Sequence, residues 1–245
     1  MPKPSIIAFD RHAGLEPWPD YPETEIAAGD RGSRGRFWIN DDRLGLSAGI
    51  WESEANLGRW INWPVDEFVI VLEGEVVMVE ADREAVFGPG DSFIIPRGCR
   101  CIWNQCAYFK KFMMMFNGPA LAAPSGTPHI IAINPTVTLA ASEPPSPTML
   151  LSPIPSQHTH DYFSDATGQF NIGVWDTTGY HRKLSDFPRH ELMHLIEGSV
   201  TFEDDHGRSQ TFNAGDTFFV PMGTPNSWKS EGTLRKIFVI FQPKP

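Results

Sequence analysis

The sequence predicts an all-β protein made of two tandem sandwich or barrel units, and three observations carry that prediction. The first is an internal duplication. Glu67 and Gly74 recur as Glu191 and Gly198 at a shift of 124, and Gly90, Pro96, Gly98 and Trp103 recur as Gly215, Pro221, Gly223 and Trp228 at a shift of 125. A constant shift carried through glycines, prolines and tryptophans marks a repeated structural unit. The second is punctuation: 22 prolines and 21 glycines are spread through the chain. The third is periodicity. Helical spacing is almost absent, and short alternating or fully apolar runs such as Phe68–Leu72, Val76–Val79, Ser92–Ile95 and Phe112–Phe116 stand between turn residues. Strands of that length, bounded that way, build sandwiches and barrels.

The duplication starts early, since Ser5–Asp10 sits 124 residues before His129–Asn134. The expected domains are therefore 1–120 and 121–245, each large enough for its own core. Residues 117–128, rich in Pro, Ala and Gly, form the expected linker. The hydrophobic-poor stretch 18–33 and the proline-rich stretch 142–157 are expected to run as arms over the neighbouring barrel. Glu73-Gly74-Glu75 and Glu197-Gly198-Ser199 read as tight bends between strands.

The net charge is −10, from 20 basic and 30 acidic side chains, which argues against nucleic acid or an anionic membrane surface as partner. No apolar stretch approaches the roughly 20 residues of a membrane span. The opening MPKPSIIAFDRH has no signal-peptide apolar region. Cys99, Cys101 and Cys106 are odd in number and crowded together, so reduced thiols and a cytoplasmic location are expected.

Both repeats carry Glu, six residues, Gly, then Gly, five residues, Pro-x-Gly. This pattern resembles the two signature segments of the cupins. Repeat 1 is more specifically similar to the small cupin subfamily of ureidoglycine aminohydrolases and ethanolamine-utilisation cupins. The residues are Trp51-Glu52, Trp60, Asp66-Glu67-Phe68, Leu72-Glu73-Gly74-Glu75, Phe87-Gly88-Pro89-Gly90-Asp91, Pro96, Gly98, Trp103 and Lys111. The resemblance covers about residues 45–116 and 169–241, and it implies a bicupin of two jelly-roll barrels.

The resemblance also implies a metal site, and the residues depart from it at every histidine. A typical metal-binding cupin places His-x-His three or four residues before the Glu and another His after the Pro-x-Gly. Here those positions hold Ile61/Trp63 or Trp60/Asn62 in repeat 1 and Ser185/Phe187 or Leu184/Asp186 in repeat 2, with Cys101 and Asn226 at the later one. One carboxylate with one thiol is too few ligands for tight binding. No metal and no other cofactor is expected in either barrel. His158-x-His160 lies on an earlier strand, opposite Arg34 and Arg36 of repeat 1, and is not expected to bind metal either.

Strand alternation sorts the remaining residues. With Glu67 pointing inward, Val69 and Val71 follow it, while Phe68, Ile70 and Leu72 point out and need cover from the other barrel or a second subunit, which leaves a homo-oligomer open. Met193 and Leu195 share the face of Glu191, and His190 and His194 point away. Cys101 and Trp103, and Asn226 and Trp228, face their barrels, joined by Trp51 and Trp175. Trp60, from the subfamily pattern, completes the ligand-binding set. Lys111 and Lys236 are expected to pair with Glu52 and Asp176.

A carboxylate among indoles suits a small polar or cationic metabolite such as an amine or a sugar. The sequence thus supports a metabolite-binding protein. It leaves open a metal-independent isomerase, epimerase or aminohydrolase-like hydrolase with Glu67 or Glu191 as general acid/base, and a scaffold with filled barrels. Repeat 1, with the fuller pattern, is the expected ligand site.

Overall fold

The computed structural model describes residues 3–119 and 127–244. Most of the linker expected at 117–128 lies outside the described residues. Those described form 24 β-strands and one short 3-10 helix, Pro147–Met149. Among them, no helix is long and apolar enough to cross a membrane.

By compactness the chain divides into two units. One is Asp10–Ile133 with Asp165–Thr167, and the other is Met1–Phe9, Asn134–Ser164 and Gly168–Pro245. In the first, a seven-stranded sheet runs in the order Ile131–Ile133, Ser92–Ile95, Asp66–Glu73, Phe109–Phe116, Leu46–Ser53, Ser33–Asp41, Glu16–Trp18. A six-stranded sheet faces it, built on Val76–Val79 and Arg100–Gln105. The second unit repeats the plan. Its seven-stranded sheet runs Ile7–Ala8, Thr217–Val220, His190–Glu197, Leu234–Phe241, Phe170–Thr177, Gln157–Ser164, Ala140–Ser142. Its four-stranded sheet is built from His181–Asp186, Pro225–Ser230, Ser199–Glu203 and Ser209–Asn213. Two facing antiparallel sheets make each unit a jelly-roll barrel.

The leading segments of the repeats are where the units depart from sequence halves. Ile7 pairs with Phe219 in the second unit, and Ile131 pairs with Ile94 in the first. Each covers an otherwise open sheet edge, which an antiparallel barrel needs. The stretches 18–33 and 142–157 behave differently from expectation. They are not arms over a neighbour. Glu16–Trp18 pairs with Ser33–Gly35, and Ala140–Ser142 pairs with Gln157–Thr159, each inside its own unit. Backbone hydrogen bonding to the adjacent strand satisfies these polar segments where hydrophobic burial cannot.

The cores repeat as the sequence does. Phe87 stacks on Phe93 with ring centroids 4.1 Å apart, and their counterparts Phe212 and Phe218 stack at 3.8 Å. Val69 and Val71 join the first core, and Met193 and Leu195 the second, so strand alternation places these side chains as expected. Phe68 and Ile70, on the opposite face, are buried within the single chain.

His194, also on the outward face, bonds Thr217 Oγ1 through Nδ1 at 2.9 Å. Burial pulls its pKa down from 6.5 to about 4, with Asp216 opposing. The unfolded chain therefore binds the proton across that window and the folded one does not, so stability is lost as pH falls from about 6.5 toward 4. His194→Gln is expected to flatten this limb, as read by urea unfolding midpoints between pH 7 and 4.

Candidate functional site

Each barrel is organised around a lysine seated between a carboxylate and two indoles. In the first, Lys111 Nζ lies 2.7 Å from Glu67 Oε1, 4.4 Å from the Trp103 ring centroid and 5.0 Å from that of Trp51. In the second, Lys236 Nζ lies 2.7 Å from Glu191 Oε1, 4.8 Å from the Trp175 ring and 5.4 Å from the Trp228 ring. The indoles meet edge to face, Trp51 with Trp103 at 6.2 Å and Trp175 with Trp228 at 6.1 Å. A buried ammonium is tolerated here because a carboxylate and two ring faces replace its water.

This arrangement corrects the expected partners of both lysines. Lys111 stands opposite Trp51 and Val71 across the sheet, and Lys110 stands opposite Glu52. Facing residues share a side of the sheet, so Lys111 follows Trp51 inward and Lys110 reaches Glu52, at 3.3 Å. Likewise Lys236 faces Trp175 and Leu195, while Arg235 bonds Asp176 at 3.4 Å.

The second carboxylate oxygen is held differently in the two barrels. Trp63 donates its indole N–H to Glu67 Oε2 at 3.0 Å. At the matching place in repeat 2 stands Phe187, and Arg189 Nε donates to Glu191 Oε2 instead, at 2.9 Å. Burial alone would raise the Glu191 pKa, but Lys236 and Arg189 together pull it below the usual carboxylate range. Burial lowers that of Lys236 despite Glu191.

The first barrel holds a cavity of about 200 Å³, lined by Tyr21, Trp51, Trp63 and Trp103, with Glu67 and Lys111 in its wall. The second holds a wider cavity of about 590 Å³ over Trp175, Trp228, Glu191 and Lys236. The difference is traceable to one strand. Trp18 and Tyr21 line the first cavity. Their counterparts at a shift of 124 are Ser142 and Pro145, which line the second. Two aromatic walls are lost there, and the cavity widens. Burial, and then the charge of Glu67, raise the Tyr21 pKa, so its hydroxyl stays protonated as a donor.

Of the residues expected from sequence, Trp51, Trp103 and Glu67 come together in the first cavity, and Trp175, Trp228 and Glu191 in the second. Trp60 does not join them. It is 41% exposed, with the Arg100 guanidinium 5.6 Å from its ring. The inward indole is Trp63, whose side chain leaves the short strand Ile61–Asn62 toward Glu67. Cys101 is fully buried in the core and does not line the cavity. A hydrogen bond to Cys99, with burial, pushes its thiol pKa up, so it stays a neutral thiol. Asn226 is buried and positions Arg182, accepting from its Nη2 at 2.6 Å. Sequence reasoning missed Tyr21, Trp63, Arg182, Arg189 and the inward lysines as parts of the sites.

A divalent metal does not fit this donor set. Glu67 and Glu191 each already accept from a lysine ammonium, which would repel a second cation. No imidazole faces either carboxylate, and among the described residues no group of three or more His, Cys, Asp or Glu side chains is placed to hold an ion. In the strand Gln157–Ser164, His158 bonds Asp176 at 2.7 Å and His160 packs edge-on to Tyr162.

Comparison with known proteins agrees with this architecture. No curated protein matches the chain. Over 97% of its length the chain superposes on all of a DUF861-family protein of unknown function from Pseudomonas syringae pv. tomato str. DC3000, with a TM-score of 0.78 and 28% identity. It is similar in fold to a Cupin 2 conserved barrel domain protein from Leptotrichia buccalis (TM-score 0.59, 8% identity, 89% of this chain and 92% of that one). It is similar in fold, too, to a salicylate 1,2-dioxygenase from Pseudaminobacter salicylatoxidans (TM-score 0.54, 14% identity, 85% and 76%). A family model described as the EutQ-like cupin domain matches residues 44–112 and again 164–238. The chain belongs to the EutQ-like cupin family and is a bicupin, carrying that domain twice.

Proposed function

We propose that the protein binds a small, neutral, polar metabolite in the N-terminal barrel without a metal. The observation that carries this reading is the aromatic-lined cavity among Tyr21, Trp51, Trp63 and Trp103. Its volume of about 200 Å³ suits one ring-sized molecule, since a cavity of about 150 Å³ holds benzene. The Tyr21 hydroxyl supports a polar ligand: burial and the charge of Glu67 keep it protonated, a donor in the cavity wall beside the Trp51 indole. The Glu67–Lys111 pair is electrically balanced, and Lys111 already fills the seat over the indoles that an amine would take. Both facts favour a neutral ligand over a cation. The free thiols Cys99, Cys101 and Cys106 favour a cytoplasmic location.

The test is a titration of ring-sized neutral, anionic and cationic compounds, read by tryptophan fluorescence and thermal shift. A neutral compound with an acceptor is expected to quench and stabilise. Trp103→Ala should abolish the effect, and Tyr21→Phe should weaken it roughly tenfold, the loss of one hydrogen bond of about 1.5 kcal/mol. A metabolite bound in the second barrel, with the first shut by Trp63 and Trp103, would sink the proposal.

A second reading, metal-independent acid/base catalysis, draws on the 2.7 Å carboxylate–ammonium contact in each barrel, a pair able to pass a proton. It requires solvent deuterium to enter the bound metabolite in the wild-type protein, and Glu67→Gln or Glu191→Gln to stop that exchange.

A further inference from the structure

The second barrel contains a half-buried guanidinium that, among the described residues, forms no ion pair with a carboxylate. Three basic side chains, Arg182, Arg189 and Lys236, line its cavity, and Glu191 is the buried carboxylate among them. Lys236 and Arg189 each take one oxygen of Glu191. Arg182 has only neutral partners. Its Nη1 donates to the Lys183 carbonyl at 3.2 Å and to Ser185 Oγ, and its Nη2 donates to Asn226 Oδ1. Asn226 is fixed in that role because its own amide donates to the Thr224 carbonyl at 2.8 Å. The largest influence on the Arg182 guanidinium is burial, which lowers its pKa, with Tyr180 opposing. The remaining acids at the cavity, Glu143 and Asp186, are exposed, and neither forms an ion pair with Arg182 or Arg189. A guanidinium drawn partly out of water into an apolar cavity favours an anionic partner, and the cavity beside Arg182 has room for one.

The rest of the cavity defines that anion. Tyr180 stacks on Trp228 at 5.6 Å, and burial keeps its hydroxyl protonated, a donor within electrostatic reach of both Arg182 and Arg189. Arg189 engages Glu191 through Nε, which leaves its outer edge for a second acceptor. Trp175, Trp228 and Met193 supply an apolar bed. A planar guanidinium, a phenol and indole faces suit a carboxylate on a flat apolar body.

We propose that the second barrel binds a small organic carboxylate, whose carboxylate group pairs with Arg182 and whose body lies on Trp175 and Trp228. This site is separate from the N-terminal cavity and does not depend on it. In repeat 1 the matching positions hold Gly58 for Arg182 and Val65 for Arg189, and the arginine at the first cavity, Arg59, is exposed and donates to the Glu23 carbonyl.

The test uses benzoate, its neutral isostere benzamide, and inorganic phosphate, titrated by thermal shift and tryptophan fluorescence into the full chain. Benzoate is expected to bind saturably, and Arg182→Gln to weaken it at least tenfold. Asn226→Asp places a carboxylate beside Arg182, so it should raise the melting midpoint of the unliganded protein and likewise weaken benzoate tenfold or more. Benzamide should be indifferent to both changes, and phosphate should not displace benzoate at equal concentration. Trp103→Ala, in the first barrel, should leave benzoate binding intact whether or not that barrel binds a metabolite of its own. The proposal fails if benzoate does not bind, if its affinity survives in both variants, if phosphate displaces it, or if Trp103→Ala removes it.

Discussion

Replacing Lys236 by Met is expected to destabilise the second unit by about 3–5 kcal/mol, the cost of stranding one partner of a buried ion pair. Glu191 has no exposed side-chain surface and Lys236 has 6%. Without the ammonium, the carboxylate keeps only Arg189, whose side chain is 37% exposed and so attracts it through partly aqueous surroundings. Glu191→Leu should cost a similar amount by leaving Lys236 uncompensated among its indoles. The informative variant is the double change, Glu191→Leu with Lys236→Met. Apolar replacement of a whole buried pair is often neutral or stabilising by roughly 1–4 kcal/mol. Chemical unfolding should therefore show two damaging single substitutions and a double substitution near the wild type. An additive double variant would mean that the two side chains are not coupled. A double variant near the wild type would also separate folding from function, because the restored barrel would lack the Glu191–Lys236 pair.

Gly198→Val is expected to be the most damaging single change at a turn. Gly198 has a φ of 78° and bends the chain between His190–Glu197 and Ser199–Glu203. A Cβ there would meet the Thr233 carbonyl oxygen at 2.3 Å, a backbone atom that no rotamer change removes. Left-handed strain of roughly 1–2 kcal/mol adds to overpacking of roughly 1–3 kcal/mol, for a loss of about 2–5 kcal/mol. Gly74→Val should behave alike, since its φ is 77° and its Cβ would lie 2.1 Å from the Tyr108 carbonyl oxygen. Gly90→Ala offers the contrast: φ is 91° but nothing lies within 4 Å of a Cβ, so it pays the strain alone. Unfolding midpoints that rank Gly90→Ala below Gly198→Val or Gly74→Val would show that backbone crowding is not what selects glycine at the two bends.

The same two glycines show what was legible in the sequence. Gly74 and Gly198 recur with Glu67 and Glu191 at one shift, and the two jelly rolls follow from that repetition. With the carboxylates taken as inward, strand alternation then placed Val69, Val71, Met193 and Leu195 in the cores, because a side chain's face is fixed once one residue of its strand is placed. What escaped lay where no period runs. Tyr21 sits in a polar stretch with no apolar pattern, and it reaches the cavity only because Glu16–Trp18 pairs with Ser33–Gly35. Trp60 and Trp63 flank a two-residue strand too short to fix a face. Lys111 was expected to pair with Glu52, yet cross-strand pairing with Trp51 demands the inward face. A register shift between Lys110 and Lys111 hides that parity from a count along the strand. Arg182 has a glycine as its counterpart, so the repeat gave no sign of it.

The account rests on a lysine, not a metal ion, at the centre of each barrel. Elemental analysis of the full chain, purified without chelator, tests this most directly. The lysine-centred arrangement predicts first-row transition metal far below one ion per chain, unchanged by Glu67→Ala or Glu191→Ala. About one tightly held ion of Zn, Mn, Fe or Ni per chain, lost on either substitution, would contradict it.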